Sequence, residues 1–423
     1  MKILFVTNYF PPHYVGGYEL HCGRVAEWMA RAGHAVRVLT GDFSLGPGRA
    51  ELDAPGLEVC RDLTLRYWTD VTDLGYWARE WRDVRIFRCH VRDFRPDVVV
   101  LWNMRKLAFG IVLEAQRLCG NALVYHLMDE WGAEFRAANG LPQFWARPAS
   151  SFWGRVVKPL LRRLYRCFFT EDVSAWRPEN GVLVSQALGD LCRKHDLVFP
   201  RQMVSYITYD PAVFGEAGRG PASADATGGT GPVRFLWAGR LCAGKGLLTT
   251  LDALDRLYEK RPQEDWTLDF CGIVDEETRT GVLEPRLARA PWSGRVRYLG
   301  SLSYNQMPAV YRAHDVFLFT SEVHEGLPGT IIEAFACGLP VIGTLTGGTR
   351  DVLRPGENCL TYPMGDAHAL VEAMETLLDR PDERRRLSAQ VAQFAYEHCC
   401  NETVFPRLLA FYEELLARRG GAS

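Results

Sequence analysis

The chain has 423 residues, 47% hydrophobic and 24% charged, enough for two globular domains of roughly 100–200 residues each and too apolar for intrinsic disorder. Its 49 Lys and Arg stand against 51 Asp and Glu, a formal net charge of −2, so no global cationic field exists to hold a nucleic acid against salt. No apolar run approaches the ~18–20 residues of a membrane-spanning helix, and Lys2–Thr7 is too short for the apolar core of a secretory signal; a cytoplasmic location is expected.

Apolar runs alternate with helical periodicity from the start, the order of a parallel sheet covered by helices on both faces. Ile3–Thr7 reads as a buried first strand. A turn-rich loop with Pro11-Pro12 and Gly16-Gly17 follows, and Leu20, Val25, Trp28 and Met29 mark the inner face of a helix ending near Gly33. Strands are expected at Ala35–Thr40, Val98–Trp102, Ala122–His126, Gly181–Val184 and Met203–Ile207, with helices at Ala108–Cys119 and Gln186–His195. This gives an α/β, doubly wound first domain over residues 1–207.

Between Gly215 and Pro232 the composition collapses to Gly, Ala, Thr, Ser and Pro, so 208–232 reads as a linker. A second Rossmann-like domain is expected over 233–395. Its strands are Val233–Ala238, Trp266–Gly272, Val296–Leu299, Val316–Thr320, Pro340–Gly343 and Cys359–Tyr362, and helices fit at Leu247–Arg261, Tyr304–Ala313, Thr330–Ala336 and Ala367–Leu378. Residues 396–423 carry an apolar series at Val404, Leu408, Phe411, Leu415 and Leu416. That helix needs a surface to cover and is expected to cross back to the first domain.

The twelve cysteines are scattered apart from Cys399-Cys400 and form no Cys-x-x-Cys pair, so they read as reduced core residues and no metal ligand set is expected. Only six of the 49 basic residues are lysines, and Lys245 alone of them sits in a glycine-rich turn.

Gly16 and Gly17 precede a helix, where missing side chains let an anion such as phosphate reach backbone N–H groups at the positive helix end; a plain turn accounts for the dipeptide equally. No GxGxxG fingerprint occurs in either domain, which argues against a nicotinamide or flavin cofactor. In the second domain Arg240 and Lys245 flank a turn between a strand and a helix, the place where open α/β sheets bind ligands. Arginine forks onto two phosphate oxygens and lysine adds a point charge, so the pair suits a diphosphate; a solvated surface pair is the alternative. The stretch Glu325-Gly326-Leu327-Pro328-Gly329-Thr330-Ile331-Ile332-Glu333 sets two carboxylates eight residues apart, about 2.2 helical turns. Glu325 suits sugar hydroxyls or developing positive charge, and Glu333 suits ribose hydroxyls; Glu333 also satisfies a helix dipole in the simpler reading. Gly347-Gly348 offers further amides or a turn. His126 ends a strand three residues before Asp129, which fits an imidazole facing a substrate or one buried in the core.

In their order and spacing these residues resemble the retaining glycosyltransferases of family 4, with the GT-B fold of two facing Rossmann-like domains. The resemblance covers nearly the whole chain: Phe10-Pro11-Pro12 through Gly16-Gly17-Tyr18-Glu19, Trp237-Ala238-Gly239-Arg240-Leu241 with Lys245-Gly246, Leu299-Gly300 before Met307-Pro308-Ala309-Val310-Tyr311, the Glu-x7-Glu stretch running on to Val341, and Gly347-Gly348. It implies that Arg240 and Lys245 bind the diphosphate of a nucleotide-diphosphate sugar, with the Gly17 amide, beside Gly16, approaching from the opposite domain. It further implies that Glu333 holds the ribose and that backbone near Ser301 and Leu302 receives the base. Glu325, the amides of Gly326, Leu327, Gly329 and Thr330, and Pro328 between them would line the donor sugar, which His126 would meet from the first domain. Two departures stand out: Gly329 occupies a position often held by a larger residue, and Ile207-Thr208-Tyr209-Asp210 replaces the usual Asn-Gly before the linker.

The implied reaction keeps the anomeric configuration, the acceptor hydroxyl attacking the face from which the nucleotide leaves and the departing phosphate taking its proton. Catalysis is then mostly positioning and charge stabilisation. No Asp-x-Asp motif appears, so no divalent metal and no cofactor beyond the donor is expected. Acceptor recognition is expected in the first domain, from Glu19 and Asp129 and from an aromatic group at Arg66-Tyr67-Trp68, Tyr76-Trp77 and Trp81. The basic, aromatic-rich stretch from Trp131 through Phe144-Trp145 and Trp153 to Arg166 fits either a helix with a solvated cationic face or a contact, over 153–166, with an anionic inner membrane face presenting a lipid-linked acceptor. A nucleotide-sugar 2-epimerase and a catalytically idle nucleotide-sugar binding module are the competing functions.

Overall fold

A computed structural model describes residues 1–42, 54–65, 74–138, 152–168, 176–215, 231–263 and 265–420. The chain divides into two compact units: Met1–Ser205 with Phe405–Ser423, and Tyr206–Val404.

The first unit is built on a seven-stranded parallel sheet: β1 (Lys2–Val6), β2 (Ala35–Gly41), β3 (Leu57–Leu63), β4 (Val98–Leu101), β5 (Leu123–Leu127), β6 (Asn180–Leu183) and β7 (Arg201–Val204). The order is β3-β2-β1-β4-β5-β6-β7. Central strands buried on both faces must be apolar throughout, and Ile3-Leu4-Phe5-Val6 and Val98-Val99-Val100-Leu101 are indeed almost wholly inaccessible. β3 was not expected from the sequence, because Leu-Glu-Val-Cys-Arg-Asp-Leu is no apolar run. It pairs only with β2, and an edge strand tolerates that half-polar pattern. The helix Leu74–Phe94 likewise escaped the sequence reading.

The second unit holds six parallel strands: β8 (Val233–Ala238), β9 (Trp266–Cys271), β10 (Val296–Tyr298), β11 (Val316–Phe319), β12 (Val341–Gly343) and β13 (Cys359–Thr361), in the order β10-β9-β8-β11-β12-β13. All six match expected strands to within two residues. Phe235, Trp266 and Phe270 pack with Leu251 and Leu254 of the helix Leu247–Lys260 and with Met374 and Leu377 of the helix Ala367–Asp379.

The unit boundaries differ in detail from the expected ones. Tyr206 through Gly215 belong to the second unit. Tyr209 pairs with Cys400 through its N–H to the Cys399 carbonyl (2.9 Å) and its carbonyl to the Asn401 N–H (3.1 Å), and buried Phe214 packs on Tyr304 at 5.2 Å between ring centroids. Two large side chains anchor what composition placed at the head of a linker; 216–230 lie outside the described residues. At the other end the helix Pro381–Cys399 stays with the second unit, Phe394 meeting Phe335 at 5.9 Å. From Phe405 onward the last helix, Asn401–Gly420, belongs to the first unit, its Phe405 ring against His21 (5.9 Å) and Trp28 (5.6 Å). Among the described residues no helix is long and apolar enough to cross a membrane.

Candidate active site

In the second sheet β9 lies on one side of β8 and β11 on the other, so the winding reverses between β8 and β11 and a crevice opens beyond their carboxyl ends. Three expected segments meet there. After β8 the chain passes exposed Arg240, makes one 3₁₀ turn at Ala243–Lys245, and enters the helix Leu247–Lys260 through Gly246 at φ +76. A Cβ at Gly246 would stand 1.9 Å from the Thr320 carbonyl oxygen, so that close approach excludes any side chain. Thr320, just past β11, secures the turn: its Oγ1 accepts from Trp237 Nε1 at 2.8 Å and donates to the Lys245 carbonyl at 2.9 Å.

With the turn held, Lys245 Nζ forms an ion pair with Glu325 Oε1, and Ser321 Oγ donates to the same carboxylate oxygen at 2.6 Å. The Glu325 backbone is clamped by the third loop, its carbonyl accepting the Gly348 N–H at 2.7 Å; Gly347, at φ +52, passes so close that a Cβ would lie 2.0 Å from that carbonyl. Arg240 takes part in no ion pair among the described residues.

The helix Gly329–Ala336 begins at Pro328 with no side chain capping it; the Ile331 N–H donates to the Pro328 carbonyl at 3.3 Å, and the Gly329 and Thr330 N–H groups are left without an intrahelical partner. One turn in, Glu333 Oε2 accepts from Tyr311 Oη at 2.9 Å, and burial, reinforced by that carboxylate's charge, pushes the Tyr311 phenol well up. At Gly329 a Cβ would meet Ile207 Cδ1 at 3.4 Å and Glu333 Oε1 at 3.8 Å, ordinary van der Waals contacts. Gly326 and Thr330 are half-buried and Leu327 is buried. Ser301 is exposed and Leu302 half-buried, in a loop placed by the Gly300 carbonyl accepting from Gly272 N–H at 2.9 Å.

In the first unit Gly16 caps the helix Gly17–Arg31, but its N–H donates to Glu19 Oε2 at 3.0 Å, as does that of Val15 at 3.3 Å, while Asn103 Nδ2 donates to Glu19 Oε1 at 3.2 Å. Glu19, expected at the acceptor, is thus buried and engaged with the loop, and burial pushes its carboxyl up. The Gly17 amide has no partner among the described residues. Asp129 is engaged as well: it pairs with Arg105 at 3.2 Å, accepts the Trp131 N–H at 2.9 Å, and is pushed up by burial in spite of the guanidinium.

His126 lies within β5, fully buried, its ring stacked on Trp102 (centroids 3.8 Å, planes at 17°) and edge-on to His21 at 5.8 Å. Burial lowers its pKa from 6.5 to about 3, so the imidazole is neutral; neither ring nitrogen has a hydrogen-bond partner among the described residues. Tyr18 Oη donates to the His126 carbonyl at 2.5 Å and accepts from Trp131 Nε1 at 3.1 Å. The sequence reading assigned no role to Trp102, His21, Tyr18, Tyr311 or Ser321; no local pattern separates such partners from ordinary core or loop residues. Trp68 and Phe144-Trp145 lie outside the described residues, and Trp77 falls on the helix Leu74–Phe94. The helix Phe152–Phe168 carries five cationic residues and no acidic one, with Val156 57% and Leu160 70% exposed one turn apart.

Residues 232–380 match the family described as glycosyl transferases group 1, and residues 16–175 the glycosyl transferase 4-like domain. The sequence is 36% identical over 414 residues, 92% of each chain, to the 2-deoxystreptamine N-acetyl-D-glucosaminyltransferase of Streptomyces fradiae. It is 28% identical over 422 residues, 99% of this chain and 98% of the other, to the GDP-mannose-dependent alpha-mannosyltransferase of Mycobacterium tuberculosis (strain CDC 1551 / Oshkosh). Among solved structures, Anabaena HepE in complex with UDP has a similar fold, with a TM-score of 0.67 at 17% identity, covering 98% of this chain and 100% of that one.

Proposed function

The chain belongs to the group 1 glycosyltransferases of family 4, enzymes of class EC 2.4 with the GT-B fold, and on that footing we propose a retaining, metal-independent transfer from a nucleoside diphosphate sugar to an acceptor hydroxyl. The observation that carries this reading is the convergence of Lys245, Glu325 and the Gly347 loop at the point where the second sheet reverses its winding.

The diphosphate is taken by Arg240 and Lys245, cations matched to the charge that grows on the leaving group. Phosphate oxygens compete for Lys245 and so free Glu325 toward the sugar, beside the backbone N–H groups of Gly326, Leu327, Gly329 and Thr330. Glu333, oriented by Tyr311, receives the ribose hydroxyls, and the backbone of Ser301 and Leu302 receives the base. In the first unit the Gly17 amide at the start of its helix is suited to an anion, while His126 is a neutral imidazole fully buried against Trp102. The acceptor hydroxyl attacks on the leaving-group face and its proton passes to the departing phosphate, so that no side chain acts as nucleophile.

The acceptor is a small polyhydroxylated molecule of the aminocyclitol class, a reading supported by the 36% identical relative, a 2-deoxystreptamine N-acetyl-D-glucosaminyltransferase. The cationic helix Phe152–Phe168, with Val156 and Leu160 exposed, favours a second reading, a lipid-linked acceptor met peripherally at the cytoplasmic membrane face. Flotation with anionic and neutral vesicles separates the two: binding only to anionic vesicles supports the second.

A thermal-shift screen of UDP, GDP, ADP and dTDP identifies the donor class. Incubating the corresponding sugar nucleotide with and without a panel of acceptors then tests the reaction. Acceptor-dependent nucleotide release with a retained anomer by NMR is expected. An epimer formed from donor alone, or tight nucleotide binding with no turnover, overturns the proposal.

A further inference from the structure

Away from the donor site, edge strand β3 and the helix Leu74–Phe94 bring together three side chains of metal-ligating type. Cys60 and Asp62, two residues apart, share one face of the strand, and His90 reaches them from the helix, 28 residues beyond Asp62. The thiol, a carboxylate oxygen and an imidazole nitrogen all lie within 4.8 Å of one another. His90 Nε2 is 2.9 Å from Asp62 Oδ2, while Nδ1 is buried with no partner among the described residues, so Nε2 is the nitrogen the ring offers. Glu58, two residues earlier on the same face, holds Oε1 3.7 Å from Cys60 Sγ and gives its other oxygen to Arg37 Nε at 2.7 Å. The thiol therefore lies close to two carboxylates, Glu58, which is paired with Arg37, and Asp62, which faces His90.

We propose that Cys60, Asp62 and His90 form a binding site for a divalent transition metal of the zinc type. A thiolate, an imidazole and a carboxylate make a borderline-soft donor set, which suits zinc and disfavours magnesium and calcium. With zinc bonds near 2.3 Å to sulfur and 2.0 Å to nitrogen, tetrahedral ligand atoms stand about 3.5 Å apart, a spacing these side chains reach by small rotamer adjustments. The Cys60 S–H bond breaks as the sulfur–metal bond forms, and the proton passes to solvent. The half-exposed position leaves the fourth coordination place to water. The site has a structural role: it clips edge strand β3 to the helix Leu74–Phe94, the elements on either side of residues 66–73 in the chain. Cysteine spacing alone did not reveal it, because the ligands come from two elements and include a single cysteine.

The test uses the full, untagged chain after treatment with EDTA and desalting, titrated with Co²⁺ and then Zn²⁺. One equivalent of Co²⁺ is expected to produce a thiolate-to-cobalt charge-transfer band with tetrahedral d–d bands, which Zn²⁺ then abolishes. Cys60→Ser removes the charge-transfer band, and His90→Ala and Asp62→Asn each weaken affinity at least about tenfold. Zn²⁺ raises the melting temperature of the wild type but not of Cys60→Ser, and circular dichroism of the metal-free variants reports their fold. A wild-type spectrum with no thiolate band overturns the proposal, as does a band that survives in Cys60→Ser, which assigns it to another cysteine.

Discussion

Lys245 and Glu325 are joined in an ion pair although 80 residues separate them. Each is delivered by the loop that follows one of the two adjacent strands β8 and β11, and each loop is held by hydrogen bonds of its own. That charge pair makes the two residues a unit.

Lys245→Ala and Glu325→Ala should each lower kcat/KM at least about tenfold, roughly 1.4 kcal/mol of transition-state stabilisation. Because each substitution also strands the other partner, the double variant should lose less than the product of the single losses. Steady-state kinetics of the four proteins in the cycle measures this, and strictly multiplicative losses would show that the pair does not act together.

Gly347→Ala should destabilise the second unit by about 1–3 kcal/mol, through positive φ and the collision with the Glu325 carbonyl. Gly16→Ala is the contrasting case: its φ of −162 is ordinary extended backbone, and a Cβ there meets nothing within 4 Å. Urea unfolding should separate the two, with the second close to wild type.

The buried histidines make stability depend on pH. His126 stays neutral when folded down to about 3 but gains a proton at about 6.5 once unfolded. His21 is lowered in the same direction, by burial and then by Arg24 and His126. Below 6.5 the unfolded chain binds more protons than the folded one, so stability is fully present above that pH and is lost as pH falls toward 3, by up to ~1.4 kcal/mol per pH unit for each histidine. His126→Phe should flatten the slope of unfolding free energy against pH over this window; an unchanged slope would locate the effect elsewhere.

Tyr311→Phe removes the hydroxyl that orients Glu333 without touching the reacting sugar. A lost hydrogen bond of about 0.5–1.5 kcal/mol should appear as a roughly two- to tenfold higher donor KM at nearly constant kcat. A fall confined to kcat would place Tyr311 nearer the chemistry than the ribose.

Much of the architecture was legible because buried parallel strands are apolar runs: Ile3–Val6, Val98–Leu101 and Val316–Phe319 declare themselves without knowledge of their neighbours. β3 did not, since an edge strand carries Glu58, Arg61 and Asp62 at little cost. At the site, Arg240, Lys245, Glu325 and Glu333 were visible as charges set among glycines next to strand and helix ends. What each one touches was not. Glu19 is an example: its carboxylate binds the Val15 and Gly16 amides within its own loop and helix start, and nothing in its residue type distinguished that from a contact with an acceptor.

The amino-acid sequence by itself determined the succession of strands and helices, the two doubly wound units and the charged residue types at strand ends, because periodicity and glycine placement are local properties of the chain. Tertiary structure alone decided that Lys245 meets Glu325, that Tyr311 meets Glu333, and that His126 lies beneath Trp102 as a neutral imidazole. Those relationships depend on strand order, which sets loops 80 residues apart side by side, and on burial, which removes the water that would otherwise set a group's charge.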